Sequence, residues 1–178
     1  MKNIVVLISG SGSNLQAIIN ACKSNEINGR VICVISNNPS AFGLERAKKF
    51  KIKTKIIDHN LYSKRDKFDD DLQFFLEELS PDLIVLAGFM RILGRKITNK
   101  FSNKMINLHP SLLPLYPGLN THNQVLTNND SFHGISIHYV SSKLDGGPLI
   151  AQGVIKVKKN EEKINLIDRI HKLEHILL

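Results

Sequence analysis

Thiols are scarce: Cys22 and Cys33 are the only cysteines in 178 residues, and neither has the spacing of a disulfide framework or a zinc site. That scarcity fits a reducing cytoplasm. No apolar run approaches the roughly 20 residues that span a bilayer. The first such run, Ile4-Val5-Val6-Leu7-Ile8, is too short for the apolar core and cleavage site of a secretory signal. Internal repeats, linkers and low-complexity stretches are also missing. The expectation is a cytoplasmic chain with no membrane attachment. Aromatics are few, at 6%. The net charge of +8 invites a nucleic-acid partner, but the lysines are scattered without interleaved stacking aromatics. The run from Lys48 to Lys55 spans a helix end and the following strand, which reads as a solvated edge. The charge is read as solubility plus mild attraction for anionic substrates, with no nucleic acid bound.

With 42% hydrophobic and 22% charged residues, the composition is that of a soluble globular protein, long enough for one domain over residues 1–178. Asn3–Ser9, Val31–Ser36, Lys53–Ile57, Leu83–Ala87 and Met105–Leu108 read as buried strands. Helices are expected between them: Leu15–Cys22, Phe42–Phe50, one opened by a Ser63/Asp66 capping box and running to about Leu79, and a short one near Ile97–Phe101. This alternation predicts an α/β fold with a doubly wound, mostly parallel sheet, Rossmann-like in its N-terminal half. After a helix at about Thr121–Thr127, the alternating runs Gly134–Val140 and Pro148–Lys158 have too short a connection for a crossover, so they are expected to be antiparallel. A last helix runs from about Glu161. The sequence stops on Ile176-Leu177-Leu178 without a cap and reads as short at this end.

Asn107-Leu108-His109-Pro110-Ser111-Leu112-Leu113-Pro114 places an amide and an imidazole two residues apart on a strand, on one side, where the strand meets an irregular loop. Both are donors suited to an oxyanion at an acyl carbon. A turn cap beside an ordinary strand-end histidine explains them too. Gly10-Ser11-Gly12-Ser13-Asn14 follows the first strand and opens a helix, a setting that favours a single phosphate, although a tight turn would look the same. It is not a dinucleotide fingerprint: Leu15 stands where the third glycine belongs, and Ser36-Asn37-Asn38 offers no ribose carboxylate. Ala87 to Gly94 is an apolar loop, read either as a pocket wall for a flat ligand or as tucked into the core. Asp145 beside Gly146-Gly147 can approach an imidazole and stabilise its charged form, or simply make a turn. Glu174 shares a stripe with Ile167 and Ile170 and leans inward. His171 and His175 have the i,i+4 spacing of metal pairs but no evident third ligand, so no metal is expected. Ser136 and His138 lie on one side of a late strand, from which His138 either supports His109 or sits partly exposed.

These pieces, in this order, closely resemble the phosphoribosylglycinamide formyltransferase family of folate-dependent enzymes in purine synthesis. The landmarks are Ile8 through Ile18, Ala87 through Leu93, Asn107 through Pro114, Tyr116-Pro117-Gly118 and Leu144 through Pro148, and the likeness runs from Met1 to about Ile176. It implies the formyltransferase fold and formyl transfer from 10-formyltetrahydrofolate to the amine of glycinamide ribonucleotide, without a metal. It also implies that Asn107, His109 and Asp145 are catalytic. Gly12, Ser13 and Asn14 would hold the phosphate, and Glu174 the ribose. Arg91, Ile92, Leu93, Ser141 and Leu144 would hold the folate, with Ser136 and His138 in support. A cis Leu113–Pro114 bond and a monomer or weak homodimer complete the expectation. The related initiator methionyl-tRNA formyltransferases and formyltetrahydrofolate hydrolases carry additional domains not expected here. A folate- and phosphate-binding module without turnover, and a basic RNA binder, are the other two classes the sequence admits.

Overall fold

The computed structural model describes residues 1–178. Seven strands form one sheet: β1 (Lys2–Ile8), β2 (Gly29–Ser36), β3 (Lys53–Ile56), β4 (Leu83–Leu86), β5 (Met105–His109), β6 (Phe132–Tyr139) and β7 (Leu149–Lys156). Their order is β3-β2-β1-β4-β5-β6-β7. The first five are parallel, and β6 and β7 run antiparallel. Six helices connect them: α1 (Ser13–Lys23), α2 (Gly43–Lys49), α3 (Arg65–Leu79), α4 (Arg95–Lys100), α5 (Thr121–Thr127) and α6 (Lys163–Leu177). None is long and apolar enough to cross a membrane.

Strand periodicity assigns the core to two faces. Val5 and Leu7 of β1 join Phe68, Leu72 and Leu76 of α3 on one side. Ile4, Val6 and Ile8 join Leu15, Ile18 and Ile19 of α1 and Leu44 of α2 on the other. A continuous apolar run is therefore what β1 requires, since helices cover both its faces. A third cluster, with Ile135 and Ile137 of β6 and Leu166 and Ile170 of α6, closes the antiparallel end. Cys33 is buried in the first cluster, and burial pushes its thiol up to about 11.

One local expectation needs correction. α3 has no capping box: its N-cap is Lys64, in an extended conformation and with no side-chain cap bond. The helix thus starts one residue too late for Ser63, and Asp66 instead places a negative charge in the first turn, where it complements the helix dipole. In α6 the buried residues are Leu166, Ile170 and Glu174, and Ile167 and Glu174 both border the cleft. Leu177 and Leu178 pack against the third cluster, so the chain's last residues are in contact with the core.

The chain leaves β1 toward β2 and β3, then returns to place β4 on β1's other side. The loops after β1 and β4 diverge at this reversal and leave a crevice at the strands' carboxyl ends, where open α/β sheets bind ligands.

Candidate functional site

That crevice is a cleft of about 1140 Å³, above the roughly 300–1,000 Å³ usual for one small ligand. Its walls are Ser9–Asn14, Leu86–Leu93, Asn107–Pro110, Gly118–Asn123, His138 to Asp145 in part, and one side of α6.

At the centre, β5 ends on His109, and Asn107 precedes it on the same face. Asp145 approaches both from the loop between β6 and β7. Its Oδ2 lies 3.4 Å from His109 Nδ1, and its Oδ1 accepts from Asn107 Nδ2 at 3.3 Å. Asn107 Nδ2 also faces His138 Nε2 at 3.1 Å, and His138 Nδ1 meets the Tyr139 carbonyl at 2.9 Å. The Gly118 N–H donates to Asp145 Oδ2 at 2.8 Å. Burial works against the Asp145 charge, but the bonds from His138 and Gly118, with the charges of His109 and His138, outweigh it and hold the carboxyl below its ordinary value.

Glycine is required beside Asp145 for lack of space. A Cβ on Gly147 would run into the Tyr139 carbonyl oxygen, so a side chain there would push the Asp145 loop off the end of β6. His109 Nε2 donates to the Tyr116 carbonyl at 2.9 Å. Both ring nitrogens of His109 thus face oxygen atoms, Asp145 Oδ2 at Nδ1 and the Tyr116 carbonyl at Nε2.

At the other end, Gly12 caps α1 with φ +71°, and its Cα packs so near Gly43 that a Cβ would come within 2.6 Å of Gly43 Cα. Ser13 and Asn14 begin the helix, and their N–H groups lie among the unpaired donors of its first turn. Asn14 Nδ2 donates to Glu174 Oε2 at 3.2 Å, while Asn14 Oδ1 is buried without a partner. Glu174 faces inward as its stripe predicts, and burial raises its carboxyl above the ordinary range despite Asn14 and His171.

Arg91, Ile92, Leu93, Ser141 and Leu144 all border the cleft. The apolar loop thus divides between two uses: Phe89 and Leu93 are buried in the core, and Met90 and Ile92 are exposed toward the cleft.

Ser136 lies outside the cleft: its hydroxyl donates to the Ser111 carbonyl at 2.7 Å and accepts from the Leu113 N–H at 3.0 Å, shaping the loop after β5. His138 supports Asn107 and Asp145, not His109, because antiparallel register sets it opposite Asn107. The Leu113–Pro114 bond is cis. His171 and His175 gain no third ligand, and no group of three or more His, Cys, Asp or Glu is placed to hold a metal ion.

Sequence reading missed His122, Lys163 and the cleft position of His171. His122 Nδ1 lies 2.9 Å from Nε2 of the buried His133. Burial, reinforced by neighbouring positive groups, pushes both imidazoles down to about 4. The Tyr116 carbonyl and Gly118 N–H were missed as well, since backbone groups carry no residue signature.

The family model for formyl transferase matches residues 2–178. A phosphoribosylglycinamide formyltransferase of Escherichia coli is 47% identical over 175 residues, covering 98% of this chain and 82% of that protein. The human trifunctional purine biosynthetic protein adenosine-3 is 40% identical across 97% of this chain, which spans 17% of that much longer protein. The solved phosphoribosylglycinamide formyltransferase of Coxiella burnetii superposes with a TM-score of 0.95 at 46% identity, covering 99% of this chain and 82% of that one.

Proposed function

The chain belongs to the formyl transferase family, and from that premise we infer that it transfers the formyl group of 10-formyltetrahydrofolate to the amine of glycinamide ribonucleotide, a step of purine biosynthesis. The observation that carries the reading is the meeting of Asn107, His109 and Asp145 in a cleft whose far end is a glycine loop opening a helix.

The neutral amine attacks the formyl carbon. A new C–N bond forms, the bond from that carbon to folate N10 breaks, and the proton shed by the amine ends on N10. Asn107 and protonated His109 donate to the oxyanion of the tetrahedral intermediate. Their contacts to Asp145, 3.3 and 3.4 Å, are long for bonds to a carboxylate, so these donors are readily given up to a developing charge. Asp145 faces the imidazole and orients a water that carries the proton. Gly12, Ser13 and Asn14 hold the phosphate. Glu174 takes the ribose hydroxyls, with the unpartnered Asn14 Oδ1 free to accept one of them. Arg91, Ile92, Leu93, Ser141 and Leu144 hold the folate ring.

Two unpaired cysteines support a reducing cytoplasm as the setting. The lysine edge does not suit nucleic acid: Lys53 and Lys55 place their ammonium groups 5.4 and 5.3 Å from the Phe75 ring centre, covering a face that a base would need. A monomer or weak homodimer with two small-molecule substrates, free of membranes, is the form proposed.

The test is turnover. Purified protein given both substrates is expected to release tetrahydrofolate in step with formylated product, and a folded sample that binds both yet releases none would overturn the reading.

A further inference from the structure

The cleft's apolar wall hangs on very few bonds. From Gly88 through Gly94 just two backbone N–H groups find acceptors within the chain: Met90 N–H on Ser9 Oγ and Gly94 N–H on Asp69 Oδ2, each at 2.7 Å. Ser9 also donates its own N–H to the Gly88 carbonyl at 3.1 Å, so it fixes the front of the loop from within the cleft.

The rear is fixed from outside. Asp69 lies on α3, is 6% exposed and does not line the cleft. Arg65 and Arg91 are both near enough to act on its charge, yet neither makes a salt bridge with it. Its Oδ1 and the Arg91 Nε are each buried without a partner. A buried carboxylate flanked by two cations thus makes its single hydrogen bond to a backbone N–H. Burying that charge is costly, and packing would be better served by an apolar residue. The contact also leaves no slack, since a Cβ on Gly94 would come within 2.8 Å of Asp69 Oδ2.

We propose that Asp69 is a positioning residue for the formyl-donor subsite: by holding the Gly94 N–H it sets the path of Arg91, Ile92 and Leu93, against which the folate ring lies. This rests on assigning that wall to the donor. The acceptor end, built on α1 and α6, shares no bond with Asp69.

The test separates the two substrates. Asp69→Ala in the full chain is expected to raise KM for 10-formyltetrahydrofolate roughly tenfold, the size of one lost bond to a charged group, with KM for the ribonucleotide within twofold of wild type. Gly94→Ala should act in the same direction, and the double variant should be little worse than either, because both disturb one contact. Leu76→Ala, deeper on α3, controls for stability: it lowers Tm but leaves the ratio of the two KM values unchanged. An unchanged donor KM in Asp69→Ala and Gly94→Ala, or both KM values rising together, overturns the inference. A wild-type chain without formyl transfer would overturn the function instead. Calorimetric titration with tetrahydrofolate reads the Asp69 contact without turnover: weakening of roughly tenfold supports it and equal affinity overturns it.

Discussion

His109 Nδ1 and Asp145 Oδ2 stand 3.4 Å apart with their side chains 6% and 8% exposed, although 35 residues of chain that include a helix and a strand separate them. The pair is shielded from bulk solvent, so the carboxylate acts on the imidazole with little screening. Asp145→Asn keeps the shape and removes the charge. We expect kcat to fall by about 10² or more with an unchanged circular dichroism spectrum. Because the Asp145 carboxyl lies below its ordinary value, it stays ionised throughout pH 6–9. An activity change in that range must therefore come from another group, and steady-state pH profiles of wild type and variant will test this.

Under the proposed mechanism, Asn107→Ala and His109→Ala each remove one donor to the oxyanion. Each is expected to cost about 3–4 kcal/mol of barrier, a loss of 10²–10³ in kcat, with KM changing little. The double variant should fall short of the product of the two losses, since both donors serve one oxygen. Single-turnover rates will measure the shortfall.

Glu174→Gln separates binding from stability. Burial raises the Glu174 carboxyl in the folded chain, so below its unfolded pKa both states are protonated and nothing is lost. As pH rises through the folded value the native state must ionise a buried group, and stability declines. The variant escapes that decline. Its Tm at pH 7–8 should exceed wild type by a few degrees, while under the proposed function KM for the ribonucleotide rises because one of the two carboxylate acceptors offered to the ribose becomes a donor. Equal Tm curves against pH would show that Glu174 is fully compensated.

The His122–His133 pair has the opposite sense. Both imidazoles titrate near 4 in the fold against about 6.5 when unfolded. Between those values the unfolded chain binds more protons, so stability is complete above pH 6.5 and drains away as pH falls toward 4. His133→Gln should flatten the urea midpoint against pH across that window. A wild-type midpoint flat from pH 7 to 4.5 would contradict the expected loss.

Periodicity made most of the architecture legible. Continuous apolar runs at Ile4–Ile8 and Leu83–Leu86 could only be doubly covered parallel strands, and the short connection at Leu144–Pro148 forced β6 and β7 to be antiparallel. The capping box failed because one residue of extended backbone at Lys64 shifts the helix start, which composition does not register. The stripe on α6 put Glu174 inward and Ile167 beside it, and both border the cleft, because residues three and four apart share one side of a helix. In the site, Asn107, His109 and Asp145 each had an ordinary structural explanation alone. Their convergence depends on the β5–β6 register and the loop after β6, neither of which is written in any one residue. His122 and the Tyr116 carbonyl stayed hidden for the same reason.

The meeting of Gly12 and Gly43 limits how this scaffold can be redirected to other acceptor amines. With no room for a methyl at either position, the floor of the proposed phosphate site cannot be reshaped without prying α1 away from α2. A broader substrate range has to be sought in the flexible side chains across the opening, such as Lys163 and His171 on α6, where an altered residue meets solvent before it meets the frame.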